Sequence, residues 1–333
     1  MVTSAIKATN LSKTYRIQER GDGLLGSLTT MFHRSFSEIE AVSDLSLEIA
    51  PGEFVGFLGP NGAGKSTTIK MLTGVLRPDV GEVMVHGVSP SKDRILNARQ
   101  IGVVFGQRSQ LNWDVPVRES LRLVGAIYGL SRNDAEARID EMTTDLDLGE
   151  LLSLPTRQLS LGQKMRCELA ASLLHRPKVV FLDEPTIGLD VTVKATIRSY
   201  LQQINVQDGT TILLTTHDMG DVEALCKRLV VIDDGRTVFD GDIDRLKSAI
   251  TPFRTVEFTF DEGWPIDRNI ELPETAHIAN IDERHLVVEF DPEATTNGRV
   301  ISAVTSVMEV DDVSVGDPDV ESIIGQIYAG GLK

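Results

Sequence analysis

The sequence is short of cysteine, of basic residues and of long apolar runs, and each shortage excludes a class of protein. Only two cysteines, Cys167 and Cys226, occur in 333 residues. That is too few for a disulfide framework and suits a reducing compartment. Both fall in helical patterns, where a small buried hydrophobe is the ordinary role. No apolar stretch nears the roughly 18 residues needed to span a bilayer. The most apolar ones, residues 211–214 and 229–232, are strand-sized. Residues 1–7 show no apolar segment of the signal-peptide kind. Basic residues number 33 against 49 acidic, a net charge of −16. An acidic surface repels nucleic acid, so DNA or RNA binding is disfavoured.

The acidity is unevenly spread. Residues 251–333 hold 17 of the acidic residues and 5 of the basic ones, a net of −12. This break predicts two domains: a core over 1–248 and an acidic accessory domain over 249–333. Hydrophobic content of 41% suffices for a proper core.

What is present is sharper. Gly59-Pro60-Asn61-Gly62-Ala63-Gly64-Lys65-Ser66 fits the phosphate-loop pattern G-x-x-x-x-G-K-[ST] without a mismatch. An apolar run, residues 53–58, precedes it, and Thr67 opens a stretch with helical spacing. Strand, glycine loop, helix is the context this motif requires. Glycines keep side chains away, so backbone N–H groups converge on phosphate oxygens. The helix N-terminus adds partial positive charge, Lys65 a full one, and Ser66 a hydroxyl for Mg²⁺. The reading is nucleoside triphosphate binding.

Around this loop the pattern alternates. Residues 1–15 read as a strand with Tyr15 at its end, and 41–49 as another. Segment 16–40 reads either as a hairpin with an extended loop or as a short amphipathic helix; its apolar and basic residues suit contact with lipid headgroups, and a mobile surface loop is the ordinary alternative. Residues 93–176 are mainly helical in pattern. Strands at 179–182, 211–215 and 229–232 then alternate with helices at 190–207 and 218–228, implying a largely parallel α/β sheet. In the tail, 255–260 and 285–290 alternate with period two, with helical stretches near 294–307 and 319–328, which reads as α+β.

A second constellation follows the helical stretch. Leu159-Ser160-Leu161-Gly162-Gln163 opens a helix, offering a hydroxyl and bare N–H groups to an anion. Alone, Ser160 reads as an ordinary N-cap. The next strand ends in Asp183-Glu184, and adjacent acids ending an apolar strand are rarely core, because unpaired buried carboxylates are costly.

With both phosphate motifs in this order, the chain resembles the nucleotide-binding subunit of an ABC transporter over about residues 5–240. The resemblance implies an α/β P-loop NTPase core with a helical subdomain at about 93–176, plus the small C-terminal α+β domain. It implies ATP in the loop Gly59–Thr67, Asp183 on the Mg²⁺ and Glu184 activating water. Ser160, Gly162 and Gln163 would cap ATP held by a partner copy, so that two copies close head to tail on two nucleotides. Leu161 departs from the family pattern, standing where the first of two glycines is common. Tyr15 matches the residue stacking on adenine, Gln107 the glutamine that contacts Mg²⁺ and water, Asp190 the dimer-crossing aspartate, and His217 the γ-phosphate histidine. Singly these read as a packed tyrosine, a solvated glutamine, a helix N-cap and a satisfied polar histidine. For Gln107, nearby Gln110 is an alternative assignment.

The implied activity is Mg-ATP hydrolysis, with Lys65, Gln107, Glu184 and His217 in the chemistry. The work is delivered to separate transmembrane permease subunits from the cytoplasmic side of the cell membrane. Within the family, residues 73–78 and 185–190 resemble the exporters of drugs, sodium and polysaccharides. Trp113 reads either as a permease contact or as buried packing. The rival reading is a soluble ABC-type ATPase acting on ribosomes or nucleic acid. Ribosomal forms usually carry two cassettes, and this chain has one P-loop. Chromosome-organising forms need a long heptad insertion, and the interval between loop and signature has no heptads.

Overall fold

A computed structural model describes residues 4–18, 36–105, 109–243, 253–261, 270–292 and 294–316. The chain divides into two compact units, Met1–Gly241 and Asp242–Lys333.

The first unit is built on two sheets. A six-stranded sheet runs in the order β5-β6-β7-β3-β8-β9. Its strands are β3 (Phe54–Leu58), β5 (Ile101–Phe105), β6 (Val179–Asp183), β7 (Thr211–Thr215), β8 (Arg228–Asp233) and β9 (Arg236–Asp242). The pairs from β5 to β8 are parallel. Every residue of β3 and of β7 is buried. A strand covered on both faces needs a continuous apolar run rather than alternation, and these sequences supply it.

The second sheet is antiparallel, in the order β2-β1-β4, from β1 (Ile6–Gln18), β2 (Phe36–Ile49) and β4 (Val80–Val85). Helix α1 (Lys65–Leu72) buries Ile69, Met71 and Leu72 in a cluster holding Ile6, Leu11 and Val42 of this sheet with Val55, Phe57 and Phe181 of the other. Phe57 and Phe181 are fully buried, each contributing about 1.5–3 kcal/mol. Packing against both sheets fixes the axis of α1, and with it the loop that feeds it.

The stretch 93–176 contains α2 (Arg94–Gln100), α3 (Val117–Ile127), α4 (Arg132–Asp145) and α5 (Leu161–Leu173). It also contains β5, one strand within a stretch that is otherwise mainly helical. Ile101-Gly102-Val103-Val104-Phe105 is a short β-branched and aromatic run, and parallel pairing with β6 decides its conformation. Arg118 and Arg122 of α3 both bind Glu136 of α4, tying those helices together. Helices α6 (Val191–Asp208) and α7 (Met219–Leu225) complete the unit. Tyr15 lies inside β1, paired with Ile39, rather than at its end. The flanks of segment 16–40 thus form an antiparallel ladder closing at Gln18 and Phe36. Residues 19–35 lie outside the described residues.

In the second unit, β10 (Arg254–Thr259), β11 (Ala276–Ile281), β12 (His285–Phe290) and β13 (Asp312–Gly316) form an antiparallel sheet ordered β11-β12-β10-β13. Alternate residues Val256, Phe258, Leu286, Val288 and Phe290 are buried with Val300 and Val304 of α8 (Asn297–Thr305). Burial follows the period-two pattern of these strands. The helical reading of 319–328 lies outside the described residues.

Candidate functional site

The loop Gly59–Ser66 joins the C-terminal end of β3 to α1. Gly64 has φ +99°, and a Cβ there would stand 2.3 Å from the carbonyl oxygen of Ala41. Only glycine satisfies both demands. Gly62 has φ +88° with open space where a Cβ would be. Lys65 is 7% exposed, and its Nζ donates to the carbonyls of Gly59 at 2.5 Å and Pro60 at 3.0 Å. Burial lowers its pKa, while the carboxylates of Glu184 and Asp183 act the other way. A buried ammonium in a loop of backbone N–H groups can cradle a phosphate. The Tyr15 hydroxyl lies 3.5 Å from that of Thr67, at the start of the same helix.

The carboxylates come from the next strands of the sheet. Asp183 ends β6, and its Oδ2 accepts from Ser66 Oγ at 3.3 Å. Its Oδ1 accepts from Thr215 Oγ1 at 2.7 Å, so one oxygen is fixed and the other faces the loop hydroxyl. Hard oxygen donors in this number suit Mg²⁺, which keeps several waters rather than filling an all-protein cage. Among the described residues no cluster of three or more His, Cys, Asp or Glu side chains could hold a metal by itself.

Glu184 is in the left-handed region at φ +54°. Its N–H donates to the Thr215 carbonyl at 3.0 Å and to Thr215 Oγ1 at 3.2 Å. Its Oε1 lies 3.0 Å from His217 Nε2. A cavity of about 280 Å³ beside them is lined by Glu184, Thr186, Gly188, Lys194 and His217, among others. A larger cavity, about 530 Å³, is lined by Lys13, Arg77, Ser89 and Lys92 and shares no residue with this site. Lys65, Ser66, Asp183, Glu184 and His217 are therefore brought together at the ends of β3, β6 and β7.

Ser160, Gly162 and Gln163 sit differently. Ser160 caps α5 in a capping box: its hydroxyl accepts from the Gln163 N–H at 3.3 Å, and its own N–H donates to Gln163 Oε1 at 2.9 Å. A Cβ on Gly162 would meet Val193 Cγ2 at 3.1 Å, and one on Gly188 would meet Leu161 Cδ2 at 3.3 Å. Asp190 caps α6, accepting from the Val193 N–H at 2.9 Å. The N-termini of α5 and α6 thus lie side by side, with Leu161, Ile187 and Val191 more than half exposed. Gln107 lies outside the described residues. The alternative, Gln110, spends its amide on the Val103 carbonyl.

Residues 42–187 match the profile described as ABC transporter. The chain is 32% identical over 292 residues to the daunorubicin resistance ATP-binding protein DrrA3 of Streptomyces coeruleorubidus, covering 87% of this chain and 92% of that one. The chain belongs to the ABC transporter family. Nod factor export ATP-binding protein I of Paraburkholderia xenovorans is 40% identical over 62% of this ABC chain and 68% of its own length. Among solved structures, a dimeric ATP-binding cassette in a post-hydrolysis state bound to ADP and Pi superposes with a TM-score of 0.61. It is 26% identical and covers 72% of this chain and 98% of that one. As an ABC ATP-binding subunit the chain is an ATPase. No helix among its described residues is long and apolar enough to cross a membrane.

Two features of this cassette escape a sequence reading. Thr215 holds Asp183 and the Glu184 backbone together, yet reads only as the end of an apolar strand. Asp221 is fully buried between Thr186, Thr216 and Arg198, and the Thr186 and Arg198 contacts are made over long sequence separations. Trp113 is 57% exposed, with Lys164 Nζ 5.7 Å from its ring centre, so buried packing does not describe it. Both cysteines are buried and free; burial pushes the Cys167 thiol up to about 12 and that of Cys226 up as well.

Proposed function

We propose that this chain is the ATP-hydrolysing subunit of an exporter for drugs or other small molecules, closing as a dimer on ATP to drive separate transmembrane permease subunits. It works as a peripheral protein on the cytoplasmic face of the membrane. Relatives named for daunorubicin resistance and Nod factor export support the export direction. The acidic balance supports a role without nucleic acid.

The observation carrying the reading is the 3.0 Å pair between Glu184 and His217, beside the Lys65 loop and Asp183. In this reading Tyr15 stacks on adenine, while Lys65 and the amides of Gly59–Thr67 neutralise charge on the β- and γ-phosphates. Ser66, Asp183 and Gln107 would hold Mg²⁺, which would withdraw charge from the phosphoryl oxygens. Glu184 orients and deprotonates the attacking water; a positioned base contributes about 10²–10⁴-fold. His217 contacts the γ-phosphate. Ser160, Gly162 and Gln163 of a second copy, with Asp190 at the joint, complete each site.

Glu184→Gln tests the reading. The variant binds ATP, loses at least about 10²-fold in turnover, and elutes as a dimer with ATP and a monomer without it. Turnover near wild type, or a strictly monomeric ATP-bound variant, would remove Glu184 and the closed dimer from the scheme.

A further inference from the structure

Asp221 has no place in the scheme above, yet it is a carboxylate with 0% exposure. A buried carboxylate is expensive unless every oxygen is engaged. Here both are. Oδ1 accepts from Arg198 Nε of α6 at 2.5 Å. Oδ2 accepts from two hydroxyls, Thr186 Oγ1 and, at 3.3 Å, Thr216 Oγ1. The Thr216 hydroxyl donates its proton to the carboxylate oxygen, which can only accept, while its own oxygen accepts the Asp218 N–H at 2.9 Å.

The two threonines belong to different loops. Thr186 lies two residues after Glu184, and Thr216 one residue before His217. Both are at most 4% exposed. One oxygen therefore ties together the backbones that carry Glu184 and His217, whose side chains stand 3.0 Å apart. We propose that Asp221 is a positioning residue for ATP hydrolysis, holding the Glu184 loop and the His217 loop in register through Thr186 and Thr216. Arg198 aims the carboxylate, and is itself shared with Asp218, the N-cap of α7 that also binds Lys194. The inference rests on Glu184 serving as the base.

A merely structural role, pinning α7 to α6, would run through Arg198 and leave the threonines dispensable. Thr186→Val separates the two, because it keeps the volume and the Arg198–Asp221 pair and removes only the link to the Glu184 loop. The expected result is a fall in kcat of at least about 10-fold with KM for ATP within about twofold, as misplacing a catalytic group by an ångström costs up to about 10². Thr186→Ser, which keeps the hydroxyl, stays within about twofold of wild type in kcat. The same Thr186→Val change made in Glu184→Gln alters the residual kcat by less than about twofold, since groups acting as a unit are not additive. Thr216→Val, probing the other loop, loses kcat with the same unchanged KM. Wild-type kcat in both valine variants, or an equal fold loss with and without Glu184, overturns the proposal. Failure of the underlying reading is distinguishable, because Glu184→Gln alone would then retain turnover.

Discussion

Glu184 Oε1 and His217 Nε2 stand 3.0 Å apart, one from the end of β6 and the other just past β7. The Glu184 backbone at this pair is strained, with φ +54°. A non-glycine residue in the left-handed region costs roughly 1–2 kcal/mol. Glu184 is kept there by two bonds from its N–H to Thr215.

Removing the histidine should therefore disturb the base more than the binding site. His217→Ala is expected to lower kcat by about 10²-fold or more, within the range ascribed to acid–base and orienting groups. The affinity for ATP should change by no more than a few-fold, since Lys65 and the loop amides are untouched. Steady-state kinetics beside nucleotide-binding isotherms measure both; an affinity loss matching the kcat loss would make His217 a binding residue instead.

The two loop glycines should respond differently to the same change. Gly62→Ala adds a methyl group where nothing lies within 4 Å, so the cost is that of a left-handed alanine, about 1 kcal/mol. Gly64→Ala places the methyl 2.3 Å from the Ala41 carbonyl oxygen, a backbone atom that β2 holds in place. Either α1 or β2 must shift, adding an overpacking cost of about 1–3 kcal/mol. Urea unfolding should rank wild type, Gly62→Ala and Gly64→Ala in that order. Gly64→Ala should also lose ATP affinity, because the N–H groups of the cradle move with it. Equal stabilities for the two variants would mean the loop relaxes freely around Ala41.

Legibility in the sequence followed the range of the interaction. The phosphate loop and Asp183-Glu184 were readable because each is a contiguous string whose chemistry is local. The burial of alternate residues in β10 and β12 was likewise written in a period of two. Strand β5 was not readable: five apolar residues after a helix continue a helical pattern, and only β6, more than seventy residues away, makes them a strand. The position of Tyr15 inside β1 depends on Ile39, a partner reached across a segment whose sequence reads equally as a hairpin or a helix. Asp221 sits in an ordinary helical turn, and what makes it unusual is the arrival of Thr186 and Arg198 from elsewhere.

His175, beyond the end of α5, makes stability depend on pH. Its ring stacks on Tyr128 at 3.7 Å between centroids, and Nε2 lies 3.0 Å from the Ile101 carbonyl. Nδ1 is buried without a partner. Burial lowers its pKa to about 4, only partly opposed by the Ile101 bond. The unfolded chain, with a histidine near 6.5, then binds a proton that the folded chain refuses between those values. Stability from this group is full above pH 6.5, falls as pH drops toward 4, and levels off below it. The full swing is on the order of 3 kcal/mol. His175→Phe keeps the stack on Tyr128 and removes the titration. Denaturant midpoints at pH 7 and pH 5 should therefore converge in the variant relative to wild type. An unchanged difference between the two midpoints would place the pH sensitivity elsewhere, and His175 would then be protonated within the fold.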